Sequence, residues 1–227
     1  TAEVLVSVEK LGLADTSVYH NGLLWIQNRP DVNTAYLAIK IQILSKAGTD
    51  QMSDINVLSS YKNLDGGWGG YQDVPSGNYH TALVLQALKT VNYSDQNIIS
   101  SAITYLTSTQ NPDGGWGFCA AASAGCSDSD SNVYMTAIVL QTFNVLSSTF
   151  DVRNQRQKAV AYLLTKQNPD GSFGGGTVYE TALSVISLIE SGQGNAAALQ
   201  SAINYLTSTQ LPNGSWDDDP YSTALAL

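Results

Sequence analysis

The sequence predicts an all-α protein, a double layer of paired helices closed into a barrel, and three observations predict it. A Tyr-Leu pair, a Gln, a Pro-Asx-Gly turn and an aromatic recur at fixed spacing, as YLTSTQNPDGGWG from Tyr105 and YLTSTQLPNGSWD from Tyr205. Near-continuous apolar segments beginning Thr-Ala lie between these turns. Ahead of a turn stands a segment such as SDQNIISSAITYLTSTQ, whose apolar residues recur at helical period with polar ones between them. A helix apolar nearly all round needs burial on both sides, whereas a one-sided helix lies at the surface. Each repeat therefore reads as an outer helix followed by an inner one.

The inner segments come in order as TAEVLVSVEKL from Thr1, TAYLAIKIQIL from Thr34, TALVLQALKTV from Thr81, TAIVLQTFNVL from Thr136, TALSVISLIES from Thr181 and TALAL from Thr223. Successive Thr-Ala starts lie 33, 47, 55, 45 and 42 residues apart, room for two helices and a loop each time. About six inner helices with five or more outer ones can close a ring, and an inner layer buried on both sides favours that ring over an open solenoid. A third turn, YLLTKQNPDGSFG, begins at Tyr162 and a shortened fourth, YKNLDGGWG, at Tyr61. In each turn Gly supplies a positive φ. The aromatic (Trp68, Trp116, Phe173 or Trp216) is expected to fold over the helix end as a clamp. The amides of Gln110, Gln167 and Gln210 are placed to bond exposed backbone groups of the neighbouring turn.

A chain of 227 residues with this repeat reads as one domain, residues 1–227, cut from a larger protein. Charged residues make up only 13%, about half the usual share, so Gly, Ser, Thr, Asn and Gln serve as the polar surface. A net charge of −9, with ten Lys and Arg and no basic cluster, argues against a nucleic-acid partner and against anionic membranes. No apolar run approaches the eighteen or so residues that a membrane span needs. Cys119 and Cys126 flank a flexible Ala/Ser/Gly stretch, a spacing that lets them close a small ring; two free thiols or half a metal site are the other readings. A disulfide there fits an extracellular or cell-surface protein.

The pattern Tyr-Leu-x-x-x-Gln-x-x-x-Gly-x-Trp resembles the QW repeat of squalene-hopene and oxidosqualene cyclases. The wider pattern is similar to the α/α-toroid superfamily that includes protein prenyltransferase β subunits. The resemblance implies an α/α toroid over nearly the whole chain, a fold that hosts several activities. In the cyclases it implies a proton donor in an Asp-x-Asp-Asp run directly before Thr-Ala. The places four, two and one before each Thr after Thr1, whose start escapes this test, hold Pro30, Val32 and Asn33; Gly77, Tyr79 and His80; Asn132, Tyr134 and Met135; Thr177, Tyr179 and Glu180; Asp219, Tyr221 and Ser222. No set has two acids, so no catalytic residue is assigned. In the prenyltransferases the resemblance implies a zinc held by an Asp, a Cys two residues on and a His in the next repeat. Asp31, Asn33 and His80 fall at those places, and Asn is a poor zinc ligand, so zinc is disfavoured.

The residues just before Thr-Ala remain the expected ligand-binding rim: Asn33, Tyr79, His80, Tyr134, Met135, Tyr179, Glu180, Tyr221 and Ser222. Helix N-termini converging there favour a polar or anionic group. The competing reading packs the tyrosines between hairpins and gives Glu180 to the helix dipole. Asp128, Asp130 and Asn132 alternate as oxygen ligands do in calcium loops, but Val133 replaces the turn Gly and no Glu closes the loop, leaving only a looser calcium site. No cofactor is called for beyond that. Serine-hydrolase elbows, phosphate-binding loops and His-Glu-x-x-His are absent.

The expectation that follows is a secreted or surface-attached, noncatalytic domain, leaning away from an enzyme. It would bind a small apolar ligand or a protein or glycan partner, or serve assembly, with further domains in the same protein. The first alternative is an isoprenoid enzyme, a class II terpene cyclase or prenyltransferase-like protein, whose catalytic residues lie outside the segment or are degenerate. An aromatic content of 9% is modest for its carbocations. The second is a polysaccharide-active toroid, with Arg29 the nearest candidate base.

Overall fold

Where the sequence alternates apolar inner with one-sided outer segments, the computed structural model, which describes residues 2–30, 33–120, 126–192 and 195–227, places α-helices. Eleven helices and no strand occur among those residues. They fall into two compact units. Thr1–Thr109 and Phe118–Asp128 make the first, with α1 (Ala2–Lys10), α2 (Ser17–Gln27), α3 (Thr34–Lys46), α4 (Met52–Ser60), α5 (Asn78–Thr90) and α6 (Gln96–Ser108). Gln110–Gly117 and Ser129–Leu227 make the second, with α7 (Val133–Leu146), α8 (Arg153–Thr165), α9 (Val178–Ser191), α10 (Ala196–Thr209) and α11 (Pro220–Ala226).

Within the first unit α1, α3 and α5 form the inner layer: α3 packs on both, while α2, α4 and α6 pack outside them. Within the second, α9 packs between α7 and α11, with α8 and α10 outside. The two layers differ as their sequences require. Ten of the fourteen residues of α7 are buried, against four of the thirteen of α8, where Ala159, Val160, Tyr162 and Leu163 make one stripe. Each fully buried Leu, Ile or Val contributes roughly 1.5–3 kcal/mol, so the inner helices carry most of the stabilisation. The fold class is the all-α, double-layered α/α toroid.

Helix α3 begins at its Thr-Ala. Helices α5, α7, α9 and α11 begin three residues earlier, because the residue four before the Thr is the N-cap. Asn132, Thr177 and Asp219 each accept a first-turn backbone N–H through the side chain, and Gly77 has no side chain to do so. The Thr itself has another task. Thr81, Thr136 and Thr181 donate their hydroxyls to Gly77, Asn132 and Thr177 carbonyls at 2.8 Å each. The same hydroxyls accept the backbone N–H of Trp68, Trp116 and Phe173 at 3.0 Å. A buried polar group is thus satisfied twice over, and the aromatic turn is fixed to its inner helix.

The aromatic turns act as the sequence suggests. Trp68 and Trp216 donate their indole N–H to the Leu58 and Leu206 carbonyls of the preceding outer helix, each at 2.6 Å. Gln167 donates to the Gly171 carbonyl of its own turn (3.1 Å) and the Ala198 carbonyl at the start of α10 (2.7 Å). Gln110 does the same to Gly114 and to Gln155 in α8. Gly171 has a φ of 93°, and a Cβ there would collide with the Ser201 carbonyl, so both conformation and close approach require glycine. Cys119 and Cys126 form a disulfide, with Cα atoms 6.0 Å apart.

Candidate functional site

The residues expected at the rim lie in the first turns of inner helices or, for Asn33, at the cap, and each unit supplies its own set. In the second unit three aromatic rings meet. Tyr134 on α7 stands edge-on to Tyr179 on α9 (centroids 5.9 Å apart), and Tyr179 lies 6.2 Å from Tyr221 on α11. The Tyr221 hydroxyl donates to that of Tyr134 at 3.4 Å. All three are partly buried. Aromatic faces attract a cation by roughly 0.5–2 kcal/mol each, more as water is removed.

The neighbours of these tyrosines turn elsewhere, since adjacent helical positions point about 100° apart. Met135 is fully buried and Ser222 nearly so, which makes them core residues rather than ligand contacts. Glu180 is engaged by its own loop: Oε2 accepts from the Gly175 N–H (3.0 Å) and the Thr177 hydroxyl (2.9 Å), while Thr177 accepts the Glu180 N–H. The residues have the Thr-x-x-Glu spacing of a capping box, but the carboxylate takes the Gly175 N–H and the Thr177 hydroxyl in place of the Thr177 N–H. Asp219 caps α11, and the hydrogen bonds from Ser222 hold its carboxyl below the usual carboxylate range. An acid kept ionised in this way is a poor proton donor.

In the first unit Asn33 caps α3, its side-chain oxygen accepting from Ala35 and Tyr36. His80 is half-buried, and burial pushes its imidazole below the ordinary value, toward the neutral form. Its ring is set between two glycines: a Cβ at Gly70 would fall 3.4 Å from Nε2 and one at Gly77 3.4 Å from Nδ1. The Gly70 position also lies 3.7 Å from the Asn33 amide, so Asn33 and His80 border one space. Tyr79 stands edge-on to His80 at 5.4 Å and tilts against Phe118 at 6.5 Å. Gly70, Gly77 and Phe118 are the members that sequence reasoning missed; the Gly at the capping place of α5 was the available signal.

Of the zinc candidates, Asp31 lies outside the described residues. Among the described residues no group of three or more His, Cys, Asp or Glu is placed to hold a metal ion. Asn132, a calcium candidate, uses its side-chain oxygen to cap α7, and the Asp128 carbonyl accepts the Phe118 N–H. No helix of the described residues is long and apolar enough to cross a membrane.

The profile of the squalene-hopene cyclase C-terminal domain family matches residues 29–173 and 129–225. Squalene–hopene cyclase of Zymomonas mobilis is 32% identical over 106 residues, covering 40% of this chain and 16% of that enzyme. Among solved structures, ent-copalyl diphosphate synthase from Streptomyces platensis aligns with a TM-score of 0.72 at 20% identity, over 99% of this chain and 48% of that one. The type II terpene cyclase MstE from Scytonema aligns at 0.68 and 18%, over 95% and 70%. A variant of MstE in complex with its substrate geranylgeranyl dihydroxybenzoate aligns equally well, over 98% and 72%. The chain thus spans 16% of the curated relative's length.

The match to the cyclase family and its curated member overturns the expectation of a noncatalytic domain and the leaning away from an enzyme. That expectation rested on the missing acid and zinc motifs, the acidic and sparsely charged surface and the cysteine pair, which speak only for the positions inspected, whereas the family match covers residues 29–225.

Proposed function

Because the chain belongs to the squalene-hopene cyclase C-terminal domain family, we propose that it is a module of a class II isoprenoid cyclase. The family match over residues 29–225 is the observation that carries this reading. The three-tyrosine cluster supports it. The turns around Gln110–Trp116, Gln167–Phe173 and Gln210–Trp216 read as QW repeats, which clamp successive hairpins and leave the inner-helix ends to the substrate.

The substrate class is a linear polyprenyl chain. An acid delivers a proton to a terminal alkene, the π electrons of successive alkenes close rings, and loss of a proton from carbon restores a double bond. Tyr134, Tyr179 and Tyr221 present aromatic faces to the travelling positive charge. The proton donor is assigned to none of the described residues, since Glu180 is held by its loop and Asp219 is kept ionised at a helix cap. The Cys119–Cys126 bond fits an oxidising compartment.

The full-length protein should convert squalene or geranylgeranyl diphosphate to cyclised products detectable by gas chromatography and mass spectrometry. Tyr179→Ala should reduce that yield at least tenfold, with Tyr179→Phe close to the parent. A folded full-length protein that cyclises neither compound would sink the reading.

A further inference from the structure

The second unit holds a cavity of about 320 Å³ where the chain turns from α7 into α8. Ser147, Ser148, Thr149 and Asp151 line it from the connecting loop, and Arg153 and Arg156 from the first turn of α8. The fourteen residues of α7 separate it from Tyr134 by about 20 Å, so it is no part of the tyrosine cluster. Arg156 is fixed by its neighbours. Its Nε donates to the Asn144 side-chain oxygen on α7 at 2.8 Å and its Nη2 to the Ser191 carbonyl at the end of α9 at 3.1 Å. Asn144 is held in turn, donating to the Ser187 carbonyl at 3.0 Å. Two of the five guanidinium donors of Arg156 are thereby used and three remain. Arg153 is exposed. Among the described residues neither arginine forms an ion pair, with Asp151 of the same cavity or with any other carboxylate. Stability does not account for the two arginines, because like charges one turn apart repel and the first turn of a helix disfavours cations.

We propose that this cavity is a binding site for a phosphate or diphosphate group, separate from the seat of cyclisation. A guanidinium fork matches two phosphate oxygens at once. The fork of Arg156 is oriented before the anion arrives, so little ordering is left to oppose binding. Arg153 supplies a second positive charge, and the Ser148 hydroxyl, 3.5 Å from that of Thr149, adds a further donor. Asp151 offsets part of the charge of the two arginines. Attraction to what remains grows with the charge of the ligand, which favours a multiply charged phosphate over a carboxylate. The volume stands at the lower end of small-molecule sites, roughly 300–1,000 Å³, and suits a charged headgroup rather than a whole polyprenyl chain. The site rests on the second unit alone and is independent of the cyclase reading.

Titration calorimetry of the full chain with inorganic pyrophosphate, in a buffer free of phosphate and sulfate, reads the affinity directly. The parent should bind one equivalent, and Arg153→Gln should weaken binding at least tenfold. Arg156→Lys keeps the charge but loses the fork, and should weaken it at least fivefold. Should that variant fail to fold, Arg153→Gln carries the test, since its side chain is exposed and holds nothing in place. Lys158→Gln removes the same charge from an exposed place on α8 outside the cavity, and should change the affinity less than twofold. No binding by the parent at millimolar pyrophosphate, an unchanged affinity in Arg153→Gln, or an equal loss in Lys158→Gln would each overturn the site. Geranyl diphosphate, titrated in parallel, tells the sources of the group apart. Affinity no better than that for pyrophosphate assigns the site to the free anion, and tighter binding assigns it to the headgroup of an isoprenoid; both outcomes uphold the site. None of these readouts involves cyclisation, so a failure here is separable from a failure of the proposed activity.

Discussion

Gln110 and Gln167 occupy the same place in two copies of the repeat and act alike. Each donates to a carbonyl of its own turn and to a carbonyl at the start of the next outer helix. Replacing Gln167 with Ala should therefore lower stability by about 1–2 kcal/mol in urea unfolding. An unchanged stability would show that the bridge contributes nothing. The Thr of Thr-Ala is more heavily engaged. Thr181→Val keeps the volume but strips the acceptor from the buried Phe173 N–H, and a loss of about 1–3 kcal/mol is expected. Sequence reasoning found the glutamines because an amide at a helix end has an obvious use. It read the Thr only as a marker of a helix start, because its real partner is a backbone N–H eight residues upstream, which no side-chain pattern reveals.

The helices themselves were legible, and their starts were misplaced by a common cause. Asn132, Thr177 and Asp219 stood in plain view four places before each Thr, and Thr177 with Glu180 even spells a capping box. Searching those places for acids obscured their role as caps. Turn glycines were legible as well, but not the helices they press against. Gly171 and Gly192 both have positive φ, yet a Cβ at Gly192 meets nothing within 4 Å, whereas one at Gly171 collides with the Ser201 carbonyl of α10. Gly192→Ala should cost about 1 kcal/mol, the conformational penalty alone. Gly171→Ala should cost distinctly more, about 3 kcal/mol, since the turn must also withdraw from the outer helix. Thermal or urea unfolding of the pair distinguishes the two contributions, and equal losses would mean that the turn does not clamp α10.

At the scale of the molecule, paired layers and the tyrosines at the inner-helix starts could be read from one sequence, because both repeat with the chain. Activity could not, since it hangs on a few residues that do not repeat. Charge has a similarly collective effect, visible at alkaline pH. Tyr162, of the Tyr-Leu pair on α8, is only 3% exposed. Burial first, and then the carboxylates of Asp113 and Glu180, push its phenol up to about 12. Tyr19 and Tyr205 are raised by the same kind of cause. Below pH 10, the usual tyrosine value, folded and unfolded chains both keep these protons, and the contribution to stability is complete. Between about 10 and 12 the unfolded chain releases the Tyr162 proton while the folded one retains it, so stability falls as pH rises; above 12 the contribution is gone. The melting temperature should therefore hold up to about pH 10 on this account and drop steeply beyond it. Tyr162→Phe should start from a similar melting temperature at pH 8 and decline less between pH 10 and 11.5. Parallel declines in the two proteins would remove Tyr162 from the explanation and leave only the mutual repulsion of a chain that already carries nine excess negative charges.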